Sequence, residues 1–238
     1  MKKNAKTNTQ KDAARQAKGR SFNRADRRPP QARRTHSSTL NRDFAEPFSP
    51  PENWYEPRED NKRDGSFKSI VQSPGWGYRH VVTPEEVRER LTQVPQHFLK
   101  ELDVVQISGM TRKKQSFPCY GLQWGTTIYL YPLEESLEEH FYSPPAPQVI
   151  NEAKMFGGLW DRPEAGVWRL TWTEDTIRDF YLNNILIHEL GHLVDDRNSS
   201  YLKREQFAEW FAIEYGYRAT GGGAARRSQP IRRRHHKV

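Results

Sequence analysis

Apolar side chains are sparse up to about residue 72 and then fall into short periodic runs. Val87, Leu91, Val94 and Phe98 recur at helical spacing behind Thr83-Pro84-Glu85-Glu86. There Thr83 can cap a helix, Pro84 suits its first position and Glu86 completes a capping box, while Pro95 should kink or split the helix near its end. Tyr78 to Thr83, Val104 to Ser108, Tyr120 to Trp124 and Thr127 to Tyr131 are aromatic and β-branched runs that predict strands, the last two joined across Gly125. Residues 143–166, from SPPAPQ to RPEAG, predict a long loop, and Val167 to Trp172 another strand. From Thr173 the pattern turns helical: Thr173 can cap, Glu174 and Asp175 suit the positive end of the dipole, and apolar positions run through Leu193, with a break expected at Asn183-Asn184. A further helix should start near Ser199 or Ser200 and end at Gly216, ahead of Gly221 to Gly223. The order predicts a compact α+β domain over residues 73–217.

Composition sharpens the boundaries. Residues 1–36 are polar and basic, too poor in large apolar groups to offset the entropy of ordering, and predict a disordered tail. Residues 37–72 are rich in Pro, Asp, Asn and Arg and read as a linker or extended arm that Trp54 and Tyr55 pin to the domain surface. Residues 218–238 form a second basic tail, in which His235 and His236 read as tail residues rather than ligands. Twelve Lys and Arg against Asp12 and Asp26 in the first 34 residues, and seven with no acid in the last 21, leave a body of about −9 within the net +8. Such tails predict diffuse attraction to nucleic acid or other polyanions. The N-terminal charge has no apolar run behind it, so no secretory signal or membrane span is expected. One cysteine, Cys119, cannot form an internal disulfide, and a cytoplasmic location is expected. Cys119 reads as a core or strand residue rather than a nucleophile, since no Cys/His pairing is indicated.

The chemistry concentrates in His188-Glu189-Leu190-Gly191-His192. On a helix this H-E-x-x-H spacing puts two imidazoles on one face, one turn apart, where both can reach one zinc ion, with Glu189 beside them to take a proton from the attacking water. Ile185 to Ile187 before it and Leu193-Val194 after it place the motif on a buried helix. A catalytic zinc usually has a third protein ligand. Glu205 and Glu209 both qualify by spacing: residues 205, 208, 209 and 212 share a helical face and read Glu, Ala, Glu, Ala. The small Ala208 and Ala212 would let this helix approach the first closely.

HELGHLVDD followed by EQFAEWFA resembles the gluzincin metallopeptidases, especially the catalytic domain of anthrax lethal factor and its Pro-Pro endopeptidase relatives, and the E-x-x-A-x-x-F-A pattern is similar to the ImmA/IrrE group. The likeness covers residues 188–212. It implies a zincin-like fold with a small mixed sheet and two active-site helices, Glu205 as third zinc ligand, Glu209 as a carboxylate orienting a ligand histidine, and a supporting role for Asp195, which otherwise reads as a solvated helix-end residue like Asp196. Where the lethal-factor-like enzymes place a tyrosine seven residues before the glutamate ligand, this chain has Asn198; Tyr201 stands nearby, out of register and without an assigned role. The expected activity is zinc-dependent endopeptidase cleavage of a protein or peptide. The substrate would add as a strand to a sheet edge at Thr127 to Tyr131 or Val167 to Trp172. Two rival readings are a regulatory protease cutting one repressor, as in the ImmA/IrrE group, and a non-enzymatic nucleic-acid-associated protein.

Overall fold

The computed structural model describes residues 51–55, 66–116 and 118–222. The expectations for both basic tails, and for most of the segment 37–72, therefore lie outside the described residues. In chain order the elements are β1 (Lys68–Val71), β2 (Tyr78–Arg79), α1 (Pro84–Thr92), β3 (Val104–Ile107), α2 (Arg112–Ser116), β4 (Gly121–Trp124), β5 (Thr127–Leu130), β6 (Leu133–Glu134), β7 (Glu138–Phe141), α3 (Pro147–Met155), β8 (Leu159–Glu164), β9 (Val167–Thr171), α4 (Glu174–Phe180), α5 (Leu186–Val194) and α6 (Tyr201–Phe211). This is a mixed α+β arrangement. No helix among the described residues is long and apolar enough to cross a membrane.

Local chemistry explains the best-defined starts and stops. The Thr83 hydroxyl accepts from the Glu86 N–H and the Glu86 carboxylate accepts from the Thr83 N–H, closing the capping box at the head of α1. Pro95 ends that helix, and Gln96–Leu99 resume as a 3-10 turn. Gly125, at φ 58°, makes the tight β4–β5 hairpin.

The four-stranded sheet runs β1-β3-β5-β4, with β1, β3 and β5 parallel and β4 antiparallel to β5. Strand β1 falls in the stretch expected to be a linker, so the folded region begins before residue 73. It shows little side-chain alternation and is held by backbone pairing, including Lys68 N–H to Asp103 O and Gln72 N–H to Ile107 O. Residues 51–55 lie against this sheet: Tyr55 N–H donates to the Tyr129 hydroxyl and Gln106 donates to Asn53 O, while Trp54 stays exposed. A second, antiparallel sheet is ordered β7-β9-β8. Glu139 on β7 joins it to the first, its buried carboxylate accepting from the Tyr120 hydroxyl at 2.5 Å and from Trp172 Nε1 at 3.0 Å.

Residues 143–166 are not a long loop. They contain α3 and β8, which the Pro- and Gly-rich flanks obscure. Pro147 occupies the first turn, Val149 and Ala153 face the core, and Gly157 at φ 84° turns the chain into β8. Phe156 then packs edge-on against Phe180, which stacks on Trp172.

Asn183-Asn184 do not break the chain. Between α4 and α5 the helix widens into a π-helical segment, Tyr181–Ile185, and α6 likewise continues as a π-helical segment, Ala212–Arg218. The two wide segments lie together. Buried Arg90 donates from Nε to Asn183 Oδ1 at 2.5 Å and from its terminal nitrogen to Tyr215 O, tying both to α1. A Cβ on Gly216 would lie 1.9 Å from Asn183 O. Backbone cannot yield there as a flexible side chain would, so Gly216→Ala should destabilise the fold by about 3 kcal/mol, measured as a lowered urea midpoint. An unchanged midpoint would mean that these helices do not meet at Gly216.

Candidate functional site

Helices α5 and α6 cross closely because both faces are small at the contact. A Cβ on Gly191 would lie 3.0 Å from Ala208 Cα, and Ala208 and Ala212 are buried. This close crossing brings Glu205 to the histidine face of α5. His188 Nε2 and His192 Nε2 are 3.1 Å apart; Glu205 Oε1 is 3.3 Å from the latter and Oε2 3.6 Å from the former. One ligand atom from each of the three residues falls within 4.8 Å of the others. His188, His192 and Glu205 are all buried, and Glu205 Oε2 has no hydrogen-bond partner.

The electrostatics arise from this packing. Burial would raise the Glu205 carboxyl, but the His188 and His192 imidazoles outweigh it and hold the group at about 2. Burial would likewise depress His188, yet Glu205 and the Glu189 charge leave it raised to about 8. Two nitrogens and a carboxylate converging in a buried space, one oxygen unpartnered, form a donor set that fits a divalent cation. Both nitrogens are the Nε2 atoms, and the N2O composition suits zinc.

Glu189 is buried beside this group but is not part of it. Burial raises its carboxyl, opposed by His188 and His192. Gly121, the first residue of β4, makes room for it: a Cβ there would lie 2.9 Å from Glu189 Cγ and Oε1. Glu209, one turn after Glu205, is half-buried; burial raises its carboxyl, and the His188 charge partly offsets that. It stands within electrostatic reach of His188.

Asp195 serves a different place. Its Oδ1 accepts from the N–H groups of Arg197 and Asn198, and both oxygens accept from Asn198 Nδ2. These bonds all shape the α5–α6 turn that follows His192, and none of them reaches a histidine ring. Asn198 is used up in the same turn. Tyr201 opens α6 one turn before Glu205 and hydrogen-bonds its carboxylate; burial first, then the Glu205 charge, push the phenol up to about 12.

Two further site residues are not apparent from sequence. Gly121 gives no signal, because its importance lies in a contact between distant elements. Glu152 on α3 accepts from Asn184 Nδ2 at 2.5 Å and adds its charge to those acting on His188 and Glu209. The helical spacing of Val149, Ala153 and Phe156 behind Pro147 is the one signal that points to it.

The strands expected to offer a sheet edge do not. β5 lies between β3 and β4, and β9 between β7 and β8, so both are interior. The edge beside Glu189 is β4.

The fold and site define a mixed α+β domain with a buried His-His-Glu group on two crossing helices. No protein-family model, curated protein or solved structure matches the chain.

Proposed function

We propose that this chain is a zinc-dependent metalloendopeptidase of the gluzincin type, with the ion held by His188, His192 and Glu205 and with Glu189 as general base. The observation that supports it best is the convergence of two imidazole nitrogens and an unpartnered, buried carboxylate oxygen, with a second buried carboxylate alongside and outside that group. Zinc at such a site supplies Lewis acidity, activating water near neutral pH and polarising the scissile carbonyl. Glu189 accepts the proton of the attacking water and delivers it to the leaving amine nitrogen. Burial, which raises its carboxyl, brings it toward the range in which one group can both take and return a proton. Glu209, within electrostatic reach of His188, helps to orient that ligand. The substrate backbone pairs with the edge strand β4, whose first residue, Gly121, leaves room for Glu189.

The test is a comparison of newly formed protein termini in cells carrying the wild-type chain or Glu189→Gln. Termini present only with the wild type would identify substrates. Cleavage of one cellular protein, with no cleavage of mixed peptides, would narrow the reading to a dedicated regulatory protease. No difference in termini would remove the peptidase reading.

A further inference from the structure

Away from the His-His-Glu group, a second set of reactive side chains meets at the start of β4. Lys114 on α2 is buried, an environment in which an ammonium group needs a counter-charge. Its Nζ lies 2.8 Å from Cys119 Sγ and 4.6 Å from the centre of the Tyr131 ring. A neutral thiol is a weak acceptor and compensates a buried ammonium poorly, whereas a thiolate does so well. The Glu189 carboxylate also acts electrostatically on the same cation. Cys119 itself is half-buried, so small reagents can reach it.

Tyr131 supplies the second observation. It is 1% exposed, and its hydroxyl has no hydrogen-bond partner, an expensive condition for a buried donor. Burial and then the neighbouring Cys119 sulfur push that phenol far above its ordinary range, so it is a permanent donor. What it lacks is an acceptor oxygen.

We propose that Lys114, Cys119 and Tyr131 form a hydroperoxide-reactive thiolate site, in which Lys114 holds Cys119 ionised and Tyr131 receives the oxygen that the sulfur acquires. The thiolate attacks one oxygen of the peroxide; the S–O bond forms, the O–O bond breaks, and hydroxide leaves with that electron pair. Sulfur is oxidised by two electrons to the sulfenic acid, and hydrogen peroxide is reduced to hydroxide, which solvent protonates to water. The new oxygen accepts from the Tyr131 hydroxyl, and Lys114 stays beside the sulfur as its counter-ion. Neither zinc nor peptidase activity enters this chemistry, so it stands or falls apart from the function proposed above.

Because the chain has one cysteine, thiol loss reports on this site alone. The experiment treats the full-length protein with hydrogen peroxide at pH 6, where an ordinary thiol is almost wholly protonated, and traps Cys119 sulfenic acid with a dimedone reagent for mass analysis. The gain in thiolate fraction is partly offset by the lower nucleophilicity of a more acidic thiol. The folded protein should therefore react about fivefold faster or more than the same protein unfolded in urea. Lys114→Met should fall to within about twofold of the unfolded rate, and Lys114→Arg should keep most of the gain. Tyr131→Phe should react at the wild-type rate but lose the sulfenic acid sooner to further oxidation. A folded wild type no faster than the unfolded chain overturns the proposal, whether or not the variants fold. An undiminished rate in folded Lys114→Met overturns it equally.

Discussion

Glu189→Gln should fold, bind zinc as the wild type does, and lose peptidase activity by about two orders of magnitude or more, the scale of a positioned general acid-base group. The substitution keeps the shape of a side chain for which Gly121 leaves room and removes its charge and with it the ability to accept a proton. Because Glu189 lies outside the group formed by His188, His192 and Glu205, all three ligand side chains remain in place when it is replaced. His188→Ala and His192→Ala should instead lose metal and activity together. Hydrolysis of a substrate found from the termini comparison, with zinc determined on the same samples, separates the two outcomes. Chelator-treated wild type should recover on readdition of zinc while Glu189→Gln should not. Undiminished cleavage by zinc-loaded Glu189→Gln would exclude the mechanism.

Zinc content should distinguish the two carboxylates of α6 as sharply. Glu205→Ala removes an oxygen donor and leaves the two imidazoles facing each other in a buried space, so the purified protein should be largely metal-free. Glu209→Ala removes only an orienting charge, and its affinity should fall by about 10- to 100-fold. Metal lost from Glu209→Ala alone would reverse the assignment. The His188 shift adds a pH signature. With its folded pKa raised to about 8 in the metal-free protein, His188 is protonated at neutral pH, and zinc requires it neutral. Binding therefore expels a proton, and affinity should rise about tenfold per pH unit as pH climbs toward 8, then level off. Zinc titrations at pH 6, 7 and 8 measure this, and a flat profile would show that the imidazole carries no such proton.

Features encoded by neighbours along the chain are legible from sequence. Thr83, Pro84 and Glu86 define a capping box within four residues, Pro95 stops its helix by lacking an N–H, and residues 188 and 192 must share a helical face. The close approach of α5 and α6 is implied by Ala208 and Ala212, although Gly191 makes the nearer contact. Features set by long-range pairing are not legible. Residues of β5 look equally strand-like at an edge or in the middle, and only the register with β3 and β4 decides. Strand β1 depends on backbone hydrogen bonds to residues 103–107, which no side-chain pattern announces. Glu152 is hidden because the prolines before α3 and the glycines after it outweigh the brief apolar period between them.

The widened turn at Tyr181–Ile185 acts as an angular spacer for the metal ligands. Each α-helical residue advances about 100° around the axis and 1.5 Å along it. The extra residue of a π turn is therefore a change of phase between the face that α4 buries and the face that α5 shows to α6. Were the same five residues regular α-helix instead, Ile177 and Phe180 could keep their places in the core while His188 and His192 swung by about one residue's rotation, about 100°, away from Glu205. The helix thus carries two independent addresses, one for the hydrophobic interior and one for the ligand set, joined by five residues that Arg90 locks at the required angle.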